Sequence, residues 1–267
     1  MLLKKLSKKI RLTILEVIYN AKTGHIGGSF SCIDILIVLF FQKIIFFDPK
    51  KPKLQNRDRF ILSKGHATAA LYSLFAHLKY ISFKEWKTYC KNNSRLGTHP
   101  SHLVPGVEIE TGSLGHGLPI ACGIAFAALK DKKNFKVFVL ISDGELFEGS
   151  IWESLIFASH QKLNNLVIII DNNNQIVMDR SKDVGDLNNL KKRLSSFNFI
   201  VDEIDGHNYA SLNRSLKKSK KNKKPTIILA NTIKGKGVSF MEKNNKWHHS
   251  IPNAEEYKKA IKELEKI

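Results

Sequence analysis

Two short apolar runs, residues 136–142 (KVFVLIS) and 165–171 (NLVIIID), flank a segment, 148–160, in which Ile151, Leu155 and Ala158 recur at helical spacing. A continuous apolar run of five to seven residues suits a strand buried on both faces of a parallel sheet, and two such strands joined through a helix make a right-handed crossover. This unit restricts the chain to the α/β class. Two further strand-like runs, 199–204 and 226–232, enclose a helical pattern over 210–219, and earlier patterns predict helices over 3–21, 32–45, 66–77 and 83–90. The expected fold is therefore a three-layer α/β sandwich with a mainly parallel central sheet. Glycine-rich turns over 24–28, 112–117 and 235–237 are expected to punctuate it, none inside an element. At 267 residues the chain is read as one domain, without internal repeats or a long linker.

The ends of the two central strands carry the chemistry. The first runs into Ser142-Asp143-Gly144-Glu145, and the second, thirty positions later, into Asp171-Asn172-Asn173-Asn174-Gln175. Open α/β sheets bind ligands outside the carboxyl ends of their strands, so Asp143 and Asn173 are expected to project into one site. A carboxylate and an amide oxygen are donors for a hard cation such as Mg²⁺, which completes its octahedron with phosphate oxygens. Asp-Gly and Asn-Asn also serve as plain turn residues. The joint spacing across a strand–helix–strand unit is what favours the metal reading.

This pairing resembles the fingerprint of thiamine-diphosphate enzymes, in which Gly-Asp-Gly is followed at similar spacing by Asn-Asn. Four other segments, GHIGGS (24–29), RDRFILSKGH (57–66), ETGSLGHG (110–117) and DGHN (205–208), resemble transketolases in the same order. The resemblance covers essentially the whole chain, ends where an intact transketolase begins its second domain, and is nearest to the N-terminal subunits of split transketolases. It implies thiamine diphosphate and Mg²⁺ as cofactors, with Asp143, the Asn173 side chain and the Gln175 backbone carbonyl on the metal. It implies cofactor contacts from His66, Gly112, Ser113, Leu114, Asp143, Gly144, Glu145 and Asn173. His25, His66, His99 and His248 align with the active-site histidines, and Glu148 with a carboxylate relay across the subunit boundary. His102, His116, His160 and His249 are read as ordinary surface or core residues, although His249 competes with its neighbour His248 for the last assignment.

The resemblance further implies ketol transfer from a ketose phosphate to an aldose phosphate, as in the pentose phosphate pathway. The glutamate that activates the cofactor ring, and most arginines that hold the sugar phosphate, belong to the second half in this family. Activity is thus expected only with a C-terminal partner subunit, in an α2β2 assembly. Three departures from the family pattern are Ser142 for the first glycine of the fingerprint, His116 for a common glutamine, and Thr98 for a frequent glycine before His99. Alternatives are a subunit of another thiamine-diphosphate enzyme (a 2-oxoacid dehydrogenase α subunit or a piece of 1-deoxyxylulose-phosphate synthase), or a non-catalytic scaffold or nucleic-acid binder.

Charge and cysteine content bear on the last possibility. The net charge of +19 suits a polyanion, with dense basic runs at 4–11 and 217–224. Lysine, however, is abundant alongside Ile, Asn and Phe throughout, a bias that A/T-rich codons produce with no ligand selected, so no nucleic-acid partner is inferred. Cys32, Cys90 and Cys122 are scattered and odd in number, which suits a reducing cytoplasmic setting. The basic N-terminus has helical rather than signal-peptide patterning, with a transit peptide as the lesser option. The most apolar stretch, 35–41, is far too short to cross a membrane.

Overall fold

The computed structural model describes residues 2–176, 181–185 and 187–266, except for the side chain of Lys182. Its sheet comprises β1 (Arg59–Leu62), β2 (Val137–Ser142), β3 (Leu166–Asn172), β4 (Ile200–Asp205) and β5 (Thr226–Asn231). The spatial order is β1-β2-β3-β5-β4, and every pairing is parallel. The helices are α1 (Leu2–Ala21), α2 (Ile26–Phe41), α3 (Thr68–His77), α4 (Phe83–Trp86), α5 (Gly117–Lys130) and α6 (Gly149–His160). After β3 come α7 (Ser181–Val184), α8 (Leu190–Ser196), α9 (Tyr209–Ser219) and α10 (Ala254–Glu265).

The strand order explains how the layers form. From β1 to β4 the chain steps across the sheet in one direction, and right-handed crossovers then place α5, α6 and α8 on the same face. The return from β4 to β5 reverses direction and puts α9 on the other face, with α1, α2, α3 and α10. Alternate strand residues feed two separate cores. Phe138, Leu140, Val167 and Ile169 pack toward α1, α2 and α3, whereas Val139, Ile141, Ile168 and Ile170 pack toward α5 and α6. β2 is wholly buried and β3 nearly so, which is why their sequences run apolar without alternation.

Several expectations need correction. Helix α2 starts at Ile26, not residue 32, so Gly27 and Gly28 lie in its first turn, and Gly117 opens α5. A Cβ at Gly27 would stand 2.7 Å from the Trp247 carbonyl oxygen and one at Gly28 3.1 Å from the His66 ring; close packing put glycine inside this helix. The expected helix over 83–90 ends at Trp86, after which the chain turns through Cys90 at φ 55°. Strand β1 and helices α5, α7, α8 and α10 lie outside the expected set of elements. β1 is four residues long behind a charged run, and α5 carries Gly117, Pro119 and Gly123, which weaken a helical reading. Among the described residues no helix is long and apolar enough to cross a membrane, and all three cysteines are free.

Candidate active site

β2 and β3 pair in register, Ser142 beside Asp171, so the chain leaves both strands at adjacent points on one edge of the sheet. From β2 it enters a 3-10 turn, Asp143–Phe147, closed by a capping box between Ser142 and Glu145. From β3 it continues through Asn173 to Gln175, with the Gln175 N–H donating to Asn173 Oδ1 at 3.1 Å. Above these two ends opens a cavity of about 360 Å³ lined by His25, Gly28, His66, His99, Gly112, Leu114, Ser142, Gly144, Asn173, Gln175 and His248, among others.

Thus nine of the residues singled out in the sequence (His25, His66, His99, His248, Gly112, Leu114, Gly144, Asn173 and Gln175) border one cavity. Asp143 lies just behind its wall, 1% exposed. Its Oδ2 accepts from the Ser181 hydroxyl at 2.8 Å, while Oδ1 is buried without a partner. Burial pushes its carboxyl up to about 6, with the Ser181 hydrogen bond opposing the rise. A buried anionic oxygen with no donor is costly, and an incoming cation removes that cost. Among the described residues no three His, Cys, Asp or Glu side chains cluster as a metal site. A single carboxylate with amide oxygens nearby is chemistry that suits a hard cation taking its other ligands from phosphate.

Three singled-out residues stand elsewhere. The Glu145 carboxylate is fully buried and turned into the scaffold, accepting from the Ser63 hydroxyl, the Ser142 N–H at 2.8 Å and the Gly115 N–H at 3.2 Å. Ser113 is exposed, its hydroxyl 3.2 Å from His116 Nδ1. Glu148 is exposed at the N-cap of α6. The substituted Ser142 keeps its hydroxyl near Glu145, at 3.4 Å, and His116 is exposed with Nδ1 3.0 Å from the Leu114 carbonyl.

The histidines converge from four separate segments. The His25 ring centroid lies 5.6 Å from that of His66, 6.0 Å from His99 and 5.2 Å from His248. His249, set aside in the sequence, belongs to the same cluster, with its ring 4.5 Å from His25. Burial, reinforced by His248 and His249, lowers His25 to about 3. Burial and then Lys234 lower His248 to about 4. Burial and Lys64 hold His66 well below the ordinary imidazole range. These three rings are therefore neutral at pH 7, each offering one donor and one acceptor nitrogen.

Close to His66 and His248 is an ion pair between Lys64 and Asp171, with both side chains fully shielded from solvent. Asp171 also accepts from Ser31 at 2.6 Å and from Thr232, and Lys64 donates to the Gly28 carbonyl at 3.1 Å. The buried side chain that sequence reasoning missed is Lys234, which lines the cavity and donates to the Ile176 carbonyl at 3.2 Å. Burial lowers its ammonium to about 8. Its signal was available: a lysine followed by glycine three residues after an apolar strand, at the same sheet edge as Asp143.

Comparison with known proteins identifies the family of the chain. Residues 3–265 match the family model described as transketolase, thiamine diphosphate binding domain. The chain is 42% identical over 259 residues to one subunit of the apulose-4-phosphate transketolase of Phocaeicola vulgatus, covering 97% of this chain and 92% of that protein. It is 40% identical over 264 residues to the subunit of the same name from Actinobacillus succinogenes, covering 98% and 95%. The solved transketolase of Campylobacter jejuni superposes with a TM-score of 0.91 at 34% identity, over 98% of this chain but 42% of that one. The chain thus spans nearly the full length of the two apulose-4-phosphate transketolase subunits and about two-fifths of the Campylobacter jejuni transketolase.

Proposed function

We propose, starting from the fact that this chain belongs to the transketolase thiamine-diphosphate-binding family, that it is the N-terminal, cofactor-anchoring subunit of a two-subunit transketolase. The observation that supports this reading is that the chain leaves paired strands through Asp143 and Asn173 at one edge of the sheet, beside a cavity walled by neutral imidazoles. Thiamine diphosphate, when bound, supplies the electron sink that lets a ketose carbon–carbon bond break. The chain's own residues supply the grip and the proton contacts.

Asp143, the Asn173 side chain and the Gln175 carbonyl hold Mg²⁺, consistent with the partnerless Oδ1 of Asp143. Gly144 gives the diphosphate room: a Cβ there would already be 3.3 Å from Ile176. The Lys234 ammonium balances diphosphate charge. The turn formed by Gly112, Ser113 and Leu114 lines the cofactor, and Glu145 fixes the 3-10 turn from behind, so any cofactor contact of its own comes through its backbone. His25, His66, His99 and His248 exchange hydrogen bonds with substrate hydroxyls and move protons there. Glu148 stands outside the cavity, where a partner's carboxylate or ring-contacting residue can meet it.

The ring-activating glutamate expected in this family falls in the part of an undivided transketolase that this chain does not span. A C-terminal subunit is the partner, in an α2β2 arrangement, and the cytoplasm is the compartment. Two relatives are named for apulose-4-phosphate, which places that sugar phosphate first in a donor panel. Two measurements test the reading. Thiamine diphosphate with Mg²⁺ should raise the melting temperature of the chain, and Asp143→Ala should abolish the shift. Two-carbon transfer should require the partner; turnover by the single chain, or no cofactor shift at all, would refute the assignment.

A further inference from the structure

His207 lies outside the cavity, in the turn between β4 and α9, and joins two polar partners. Its Nδ1 is 2.8 Å from Asp34 Oδ2, and its Nε2 is 2.9 Å from the backbone nitrogen of Ile233. A backbone N–H can only donate, so Nε2 is the unprotonated acceptor, and Nδ1 carries the ring proton and donates it to Asp34. The partners dictate both tautomer and ring orientation.

Asp34 is a firm anchor for this ring. Arg11 pairs with its carboxylate at 2.8 Å, Ser7 donates at 2.6 Å and Tyr209 at 2.9 Å, all from other elements. Burial alone would raise this carboxyl; the Arg11 guanidinium outweighs it and keeps the group ionised. What His207 holds at its other end is the residue before Lys234. Immediately after Lys234, the Gly235 N–H donates to the Gly27 carbonyl at 3.1 Å. The lysine is therefore pinned on both sides, by His207 before it and by α2 after it, and it is 3% exposed at the cavity wall.

We infer that His207 is a positioning residue: by accepting the Ile233 N–H from a ring locked on Asp34, it sets Lys234 against the anionic end of the cofactor. This rests on the reading of the cavity as the thiamine-diphosphate site. Substitution can separate the two ends of the ring. Asparagine places an amide where Nδ1 stood but cannot reach Ile233, whereas glutamine extends a carbonyl oxygen toward the place of Nε2.

The test combines amide hydrogen exchange with calorimetric titration of the purified chain by thiamine diphosphate in excess Mg²⁺. In the wild-type chain the Ile233 amide should exchange slowly; His207→Asn should speed it and His207→Gln should largely restore protection. The dissociation constant should rise about tenfold in His207→Asn, stay near wild type in His207→Gln, and show no further loss when His207→Asn is added to Lys234→Met, because no ammonium remains to misplace. Fast wild-type exchange at Ile233 would overturn the inference whether or not a variant folds. So would unchanged affinity in His207→Asn, or an equal loss on the Lys234→Met background. If the wild-type chain binds no cofactor, the reading of the cavity falls and this inference with it, an outcome distinct from wild-type binding that His207→Asn leaves untouched.

Discussion

Lys64 and Asp171 face each other as an ion pair with no solvent access on either side, and Lys64 lies close enough to His66 and His248 to lower both imidazoles. Lys64 comes from the loop after β1 and Asp171 from β3, so the pair ties the histidine-bearing loop to the strand that leads to Asn173. Removing one member leaves the other as an uncompensated buried charge.

Lys64→Met should therefore cost roughly 3–5 kcal/mol of unfolding free energy, measured by urea denaturation. The double variant Lys64→Met/Asp171→Leu should recover a large part of that loss, because no lone charge remains buried. Equal stability of the single variant and the wild type would contradict the pair's structural role.

Asp143 should show the opposite trade. Its folded-state carboxyl is raised to about 6, so its ionisation costs stability progressively as the pH rises from about 4 through 6. Asp143→Asn should raise the stability of the cation-free chain at pH 7.5 by roughly 1–3 kcal/mol while eliminating stabilisation by Mg²⁺ and thiamine diphosphate. Differential scanning calorimetry with and without the cofactors reads both effects. A variant less stable than wild type without cofactors would count against the burial argument.

The three depressed imidazoles give a pH dependence of opposite sign to that of Asp143. A histidine with a lowered folded-state pKa contributes its full stability above the ordinary value of 6.5 and loses it as the pH falls toward the folded value, about 3 for His25 and about 4 for His248. On an Asp143→Asn background, the urea midpoint should fall between pH 7.5 and pH 5. Adding His25→Gln should make that fall shallower, and an unchanged slope would show that His25 is not held neutral by the fold.

Gly112 has φ at +149°, and a Cβ there would stand 2.7 Å from the His99 ring. Gly112→Ala must displace either the backbone or His99, and should cost about 1–3 kcal/mol. If the cavity holds the cofactor, the same substitution should also weaken thiamine-diphosphate binding, measurable by calorimetric titration. Wild-type stability and affinity in this variant would show that the loop accommodates a side chain.

The central unit was legible because β2 and β3 are buried on both faces, and nothing but a two-sided apolar environment requires a sequence such as VFVLIS followed by LVIIIDN. Asp143 and Asn173 inherit that clarity from the strands they terminate. Less visible were features whose cause lies in tertiary packing. Gly27 and Gly28 look like turn residues yet sit in α2, because the Trp247 carbonyl leaves no room for a side chain at Gly27 and the His66 ring packs tightly over Gly28. His249 gives no local sign that its ring will lie beside that of His25, 224 residues earlier in the chain. The inward turn of Glu145 depends on Ser63 and Gly115, which reach it from other segments.

Strand β4 ends the sheet on one side and sets Asp202, Glu203 and Asp205 along that margin. A second strand laid against it would bring like charges together and strip their hydration, so lateral growth of the sheet is opposed there. The acidic margin thus acts as a directional constraint: it discourages another strand from joining the sheet along β4.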